Sequence, residues 1–299
     1  MPDPVLFIKA VIAAAVASAV FVLAAGWDRK TPSATRAGTA GVLGAALAMA
    51  LGCDILKILP HWPIVSVIDR YLIILLPAAV VVEIVAAVPR VPRGLAWVLR
   101  LALAASAGRI LLHGSSYLDG TGSWSSREAW TALAVAAVLL GSVWMLLAWL
   151  GRRTPGVSLP LALAETVLAA GMAVLLSAFP SAGEAGLAHS ASLLGAALAS
   201  CALLAAPACE GVLGFGVVGL FGILMMGRFF GELSTARAVT IFLAPLLCWV
   251  TELSALKRRP AWQVATIRFA LVAVPLAIVL ILAQRDFARS MAAPTEWPE

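Results

Sequence analysis

Ionisable residues inside long apolar stretches are the feature of this sequence that bears most directly on chemistry. Glu83 precedes Arg100 by 17 residues and Glu252 precedes Arg268 by 16, and a short basic turn separates the members of each pair. Residues equidistant from the turn of a helical hairpin lie at similar depth, and a charge placed in lipid is usually paired. We therefore expect each Glu to form an ion pair with its Arg and to hold its hairpin together.

Two other roles are open for the same four residues. They could line a charged pathway between two halves of the molecule, or they could reach the membrane surface without forming pairs. Glu165 lies in a different apolar stretch and has no obvious basic partner close to it in the sequence. It could pair with Lys9, Arg109 or a polar group of another helix, or it could carry a proton in exchange, and it is the best single candidate for a coupling carboxylate.

The composition indicates what surrounds these charges. Of the 299 residues, 62% are hydrophobic and 12% are charged, whereas about a quarter of the residues of a soluble domain are charged. Such a chain is expected to fold in a lipid bilayer. The net charge is +6, but the basic residues form short clusters between apolar stretches and no basic face carries stacking aromatic residues, which argues against nucleic-acid binding.

The apolar stretches predict an all-α, polytopic membrane bundle of about ten transmembrane helices. A helix needs about 20 apolar residues to cross the hydrocarbon core. The ten predicted spans are 5–26, 38–56, 71–89, 94–113, 129–150, 158–180, 186–207, 211–230, 238–255 and 263–284. Residues 53–70 are predicted to include an interfacial helix, and residues 113–128 to form a solvated loop or a lid.

Clusters of basic residues predict the orientation. The four clusters, at residues 29–30, 90–93, 152–153 and 257–259, all follow odd-numbered spans. Because cytoplasmic loops are enriched in Lys and Arg, we expect these turns in the cytoplasm and both termini outside. The sequence is typical of a multi-pass protein of the bacterial inner membrane.

Similar stretches near the two ends of the chain predict an internal repeat. Residues 41–44 (GVLG) recur as residues 211–214, and Pro77 precedes Pro245 by 168 residues. Spans 1–4 are thus expected to resemble spans 7–10, and the copies share an orientation because six helices separate matching spans. The chain is then divided into a first repeat (1–113), an outer loop with two linking helices (114–184), a second repeat (185–285) and a polar tail (286–299).

Prolines, glycines and cysteines within the spans are interpreted structurally. Pro77 and Pro245 are expected to kink their helices because proline lacks a backbone N–H. Glycines of spans 2 and 8 are expected to allow close helix contact. The cysteines are expected to be small buried hydrophobic residues; they are Cys53, Cys201, Cys209 and Cys248.

Motifs for catalysis, metal binding or cofactor binding are not found in the sequence. Five residues of the predicted outer face could converge, but their spacing is not that of metal ligands; they are Asp54, His61, Asp69, His113 and Asp119. We expect no catalytic residue, no metal and no cofactor.

Three functions are compatible with this pattern. The first is a small-solute transporter or permease with its site between two pseudo-symmetric halves. The alternative is a non-catalytic integral subunit or scaffold of a larger membrane complex. A third, an intramembrane enzyme acting on lipids, has no motif in its favour. The expected partners are the lipid bilayer, a small-molecule solute, and a membrane protein or further copies of the chain.

Overall fold

The structure, a computed structural model, describes residues 4–26, 34–60, 62–118, 124–154, 156–202, 209–257 and 259–292. Within these ranges the chain is 85% helical and has no strand. The prediction of an all-α bundle is confirmed for this part of the protein.

Ten long helices account for most of the described residues. They are α1 (Pro4–Gly26), α2 (Ala34–Ile55), α3 (Val67–Ala87), α4 (Arg93–Leu112), α5 (Ser126–Arg153), α6 (Ser158–Leu175), α7 (Pro180–Ala202), α8 (Cys209–Phe229), α9 (Thr235–Glu252) and α10 (Ala261–Ala292). A single turn of helix, Ser254–Lys257, connects α9 to α10.

In the described part of the chain, nine helices are long and apolar enough to cross a membrane. Helix α7 is long but does not reach the same hydropathy. It carries Glu184, His189 and four serines. Its neighbours are α1, α2, α6 and α8, and most of its residues are buried. Its exposed large side chains are Leu194 and Leu198, whereas Glu184, His189 and three of the four serines are buried against protein and do not face hydrocarbon.

Helix α8 is the centre of the bundle. It packs against α2 through α7 and against α9, and 83% of its apolar segment Gly211–Phe229 is buried, compared with 22% for the corresponding segment of α1. Its glycines make room for side chains of neighbouring helices. A Cβ atom at Gly219 would lie 2.1 Å from His189 Nε2, and one at Gly222 would lie 2.5 Å from the ring of Tyr71.

Backbone contact is closest between α7 and its neighbours α1 and α6. A Cβ atom at Gly195 of α7 would lie 2.1 Å from the carbonyl oxygen of Ala15 in α1. A Cβ atom at Gly186 of α7 would lie 2.7 Å from Cα of Gly171 in α6. Small residues permit this approach, and dispersion contact then holds the helices together where burial from water does not contribute.

Both predicted proline positions coincide with a change of helical hydrogen bonding. The segment Tyr71–Leu75 of α3 is a π-helix, and ordinary α-helix resumes at Leu76, next to Pro77. In α9 the α-helix ends at Leu243, and Ala244–Glu252, which begins next to Pro245, is a 3-10 helix. Proline has no backbone N–H and cannot donate the hydrogen bond that continues an α-helix, so the helical hydrogen-bond pattern changes next to each proline. The predicted kinks themselves stay predictions.

Two predicted helix starts were wrong because serine caps were overlooked. Ser66 Oγ accepts from the N–H of Asp69 at 3.1 Å, and the Asp69 carboxylate accepts from the N–H of Ser66 at 3.0 Å. Ser125 and Glu128 form the same capping box, so α3 and α5 each begin several residues before the predicted spans. The described residues between Ile55 and Val67 contain no helix, so the predicted interfacial helix is absent there.

Candidate functional site

Glu83 and Arg100 form a buried, two-pronged ion pair between α3 and α4. Arg100 Nε donates to Glu83 Oε1 at 2.8 Å, and Arg100 Nη2 donates to Glu83 Oε2 at 2.7 Å. The Arg100 side chain is 6% exposed and the Glu83 side chain is 1% exposed. The predicted pair is confirmed, and its parallel hydrogen bonds are the strongest arrangement open to these two groups.

Aromatic rings and a glycine complete the surroundings of this pair. The Arg100 guanidinium lies 5.0 Å from the ring centre of Trp97 and 5.8 Å from that of Trp144. On the other side, a Cβ atom at Gly214 of α8 would lie 2.2 Å from Glu83 Oε1. The absence of a side chain at position 214 therefore allows the carboxylate to approach the central helix.

A cavity of about 420 Å³ opens beside the pair, at the end of the bundle where α3 ends and α4 begins. Glu83 and Arg100 form part of its wall, together with Arg93 of α4 and Arg152 of α5. The remaining wall is made of small and apolar residues that include Gly38, Ala96 and Gly211. Four ionisable side chains therefore face one cavity formed by α2, α3, α4, α5 and α8.

The second predicted pair is present but is looser. Arg268 Nη2 lies 3.6 Å from Glu252 Oε1, and both side chains are largely buried. Arg268 Nε donates to Thr251 Oγ1 at 2.8 Å, and its Nη1 donates to Ser158 Oγ at 2.7 Å. The guanidinium thus joins α10 to α9 and to the first turn of α6, so its positive charge is shared among one carboxylate and two hydroxyl groups.

Glu165 lies two turns further along α6 than Ser158. Its Oε2 atom is buried and has no hydrogen-bond partner among the described residues. Helix α6 packs against α9 and α10, the helices that carry Glu252 and Arg268. Arg109, one of the predicted partners of Glu165, instead lies over the ring of Trp130 at 5.5 Å.

The predicted pathway through all four paired residues stays a prediction. The cavity beside Glu83 and Arg100 is not lined by Glu165, Glu252 or Arg268. The two ion pairs are formed by different helices, since Glu83 and Arg100 join α3 to α4, whereas Glu252 and Arg268 join α9 to α10, which pack mainly against each other and α6.

Some buried polar residues were missed by sequence reasoning. His189 is fully buried, with Nδ1 3.1 Å from Met49 Sδ and its ring edge-on to Phe215 at 4.7 Å. Glu184, on the same helix, is 9% exposed. Span 7 was predicted to start at residue 186, after Glu184, so this carboxylate was left outside the helix. The polar residues at 181, 184 and 189 were the signal in the sequence that this helix packs within protein.

Cysteine and metal predictions can be compared with the structure in part. Cys53 and Cys248 are buried free thiols, as predicted, while the side chains of Cys201 and Cys209 lie outside the described residues. His61 and Asp119 lie outside them as well. Where the chain is described, no group of three or more His, Cys, Asp or Glu side chains is arranged to hold a metal ion.

Comparison with known proteins adds no further constraint on this site. No known protein family matches the sequence, and no curated protein has a matching sequence.

Proposed function

We propose that this protein is a small-solute transporter or permease. The observation that carries the proposal is the cavity beside the Glu83 and Arg100 pair, about 420 Å³ in volume and lined by four ionisable side chains. Charges inside a membrane bundle are energetically expensive and usually mark a pathway for solutes or ions. A volume of this size is also within the range of small-molecule sites.

The lining favours a solute with negative charge. Arg93, Arg100 and Arg152 face the cavity with one carboxylate, that of Glu83. The Glu83 carboxylate binds Arg100 through both oxygens, and Arg152 Nε donates to the carbonyl oxygen of Ala148. Arg93, which is exposed at the rim, is therefore the residue best placed to attract an anion by its charge.

Glu165 is proposed as the coupling carboxylate. A buried carboxylate oxygen without a hydrogen-bond partner is costly in the ionised form, and proton binding removes that cost. The neighbouring pair of Arg268 and Glu252 is then the group that responds to the charge of Glu165. In this scheme two groups of helices have separate tasks, solute binding near α3 and α4 and proton binding near α6.

We also propose the number of spans, the internal repeat and the orientation of the protein in the membrane. Ten spans, with α7 as an interior helix, and a parallel repeat of spans 1–4 and 7–10 are compatible with the two Glu and Arg hairpins. With both termini outside, the cavity opens to the cytoplasm of a bacterial inner membrane. The proposed domain limits follow the repeat.

The alternative is a non-catalytic subunit or scaffold. It is favoured by the apolar stripe on α1, where Val5, Ile8, Ile12, Val16 and Val20 are all exposed. Such a stripe would fit a partner helix, but bilayer lipid covers it equally well. A charged cavity has no purpose in a scaffold, and we therefore prefer the transporter.

The test begins with access of water to the cavity. Ala96 lines the cavity and is 6% exposed, whereas Val98 on the same helix faces away from the core and is 60% exposed. In a cysteine-free variant, Ala96→Cys should react with a membrane-impermeant maleimide from the cavity side, and Val98→Cys, surrounded by lipid, should not. Failure of Ala96→Cys to react would overturn the proposal.

Transport is then measured in proteoliposomes with radiolabelled succinate and glutamate as probes. Saturable uptake that Arg93→Gln lowers, and a response to a pH gradient that Glu165→Gln abolishes, are the expected results. Glu165→Gln should fold normally, since Oε2 makes no hydrogen bond to a described residue. A reactive Ala96→Cys with no uptake of either probe, together with purification in a stable complex with another membrane protein, would support the subunit instead.

A further inference from the structure

A second cavity, of about 410 Å³, lies between α3 and α4 at the opposite end of these helices. Arg70 of α3, Arg109 of α4 and His113 at the end of α4 line it. The other lining residues, Ile64, Ile74, Ser106 and Ile110, are uncharged. Within the described lining, basic side chains thus meet apolar walls and no carboxylate.

The two arginines are held in different ways. Arg70 Nη2 donates to the carbonyl oxygen of Val65 at 2.8 Å, and its Nη1 donates to that of Leu111 at 3.3 Å. These bonds fix the Arg70 guanidinium in the gap between the helices. Arg109 is exposed, with its guanidinium 5.5 Å from the ring centre of Trp130. It lies against an aromatic face, and its N–H groups are exposed beside the cavity.

The cavity lies within the depth of the membrane-spanning helices. Arg70 is the fourth residue of Val67–Ala87, and Arg109 is the fourth residue from the end of Arg93–Leu112. Both are therefore about 5 Å from their helix ends, a depth typical of the headgroup region. Ile74 is one turn deeper and 39% exposed, and Trp130 is exposed in the manner of an interfacial aromatic residue.

We infer that this cavity binds the phosphate group of a membrane phospholipid. The planar guanidinium of Arg109 suits two phosphate oxygens, and Arg70 adds positive charge. His113 can donate a hydrogen bond, and the isoleucine walls contact the glycerol and upper acyl chain. A soluble anion would meet the same charges but would leave the apolar walls facing water. The inference does not depend on the proposed transport function, which concerns the cavity at the other end of α3 and α4.

Lipid binding is tested by native mass spectrometry of the full chain in detergent. The probes are phosphatidylglycerol and diacylglycerol with identical acyl chains, which differ in the phosphate-containing headgroup. We expect phosphatidylglycerol to bind saturably and diacylglycerol to bind much more weakly. Arg109→Gln should weaken phosphatidylglycerol binding about tenfold, the effect of losing one strong charge-assisted contact.

Matched variants distinguish lipid binding in this cavity from general electrostatic attraction and from loss of binding caused by misfolding. Arg127→Gln removes an exposed charge from the first turn of α5, at the same end of the bundle but outside the cavity, and should leave binding unchanged. Arg109→Lys should retain more binding than Arg109→Gln. Ile74→Trp keeps every charge but fills the cavity, and it should also weaken binding while the melting temperature stays that of the wild type.

Three results would overturn the inference. One is equal phosphatidylglycerol binding by the wild type, Arg109→Gln and Ile74→Trp. Another is equal binding of diacylglycerol, which would show that the cavity recognises only acyl chains. The third is displacement of phosphatidylglycerol by an equimolar amount of glycerol 3-phosphate, which would identify the occupant as a soluble anion.

Discussion

Substitution of Arg100 by alanine tests whether the Glu83 ion pair stabilises the fold. The change removes two hydrogen bonds, of 2.8 and 2.7 Å, and leaves a carboxylate that is 1% exposed without its main counter-charge. Breaking a buried ion pair by removing one partner typically costs about 3–5 kcal/mol. We therefore expect the free energy of unfolding of Arg100→Ala to fall by about 4 kcal/mol, close to a thousandfold in the folding equilibrium.

Equilibrium unfolding in mixed micelles of dodecyl sulfate and a mild detergent, followed by tryptophan fluorescence, measures this difference. Arg289→Ala is the matched control, because Arg289 is 81% exposed and lies 3.6 Å from Asp286, and exposed pairs contribute little. Adding Glu83→Gln to Arg100→Ala removes the stranded charge, so the double variant should be more stable than Arg100→Ala alone.

Two outcomes would refute this reasoning. If Arg100→Ala unfolds at the same detergent ratio as the wild type and Arg289→Ala, the pair does not stabilise the bundle. If the double variant is less stable than Arg100→Ala by the full effect of Glu83→Gln in the wild type, the two side chains are not coupled, and the contacts of Arg100 with tryptophan rings account for its effect.

Two further predictions concern packing around α7 and α8. Gly195→Ala should destabilise the protein by at least about 3 kcal/mol, because its Cβ would lie 2.1 Å from the backbone oxygen of Ala15. The control Gly94→Ala, with no atom within 4 Å of its Cβ, should not destabilise it. Equal unfolding midpoints for both variants would contradict the close approach of α1 and α7. Tyr71→Phe should lower the free energy of unfolding by about 1 kcal/mol, since the Tyr71 hydroxyl donates to the carbonyl oxygen of Gly219 at 3.2 Å; an unchanged midpoint in the same unfolding assay would show that this hydrogen bond adds no stability.

Patterns in short stretches of the sequence were sufficient to predict the membrane-spanning helices and both ion pairs. Helices that cross lipid must be long, continuous and apolar, so nine of them are visible in the composition of the chain alone. The pairing of Glu83 with Arg100 follows from the turn between them, because two residues equidistant from a tight turn have few other partners at that depth. The Ser66 and Asp69 capping box was also present in the sequence as a readable signal and was overlooked.

Contacts between helices distant in the chain could not be predicted in this way. Most of the helices are strongly apolar, so hydropathy alone does not show which of their faces meet lipid and which meet protein. The less apolar α7 is the exception. Gly214 is one of several glycines on α8 until the fold brings the Glu83 carboxylate against it. The same applies to Glu165, since only the packing of α6 against α9 and α10 shows what lies near it.

The sequence by itself determined a polytopic helical membrane protein with two charged hairpins, because bilayer thickness and the cost of unpaired charge act on each segment separately. The tertiary structure decided that α8 is central, that the polar side chains of α7 are buried and that the cavities open at the two ends of the α3 and α4 pair. These features depend on which surfaces meet, and dispersion contact between small residues depends on shape at close range rather than on residue type.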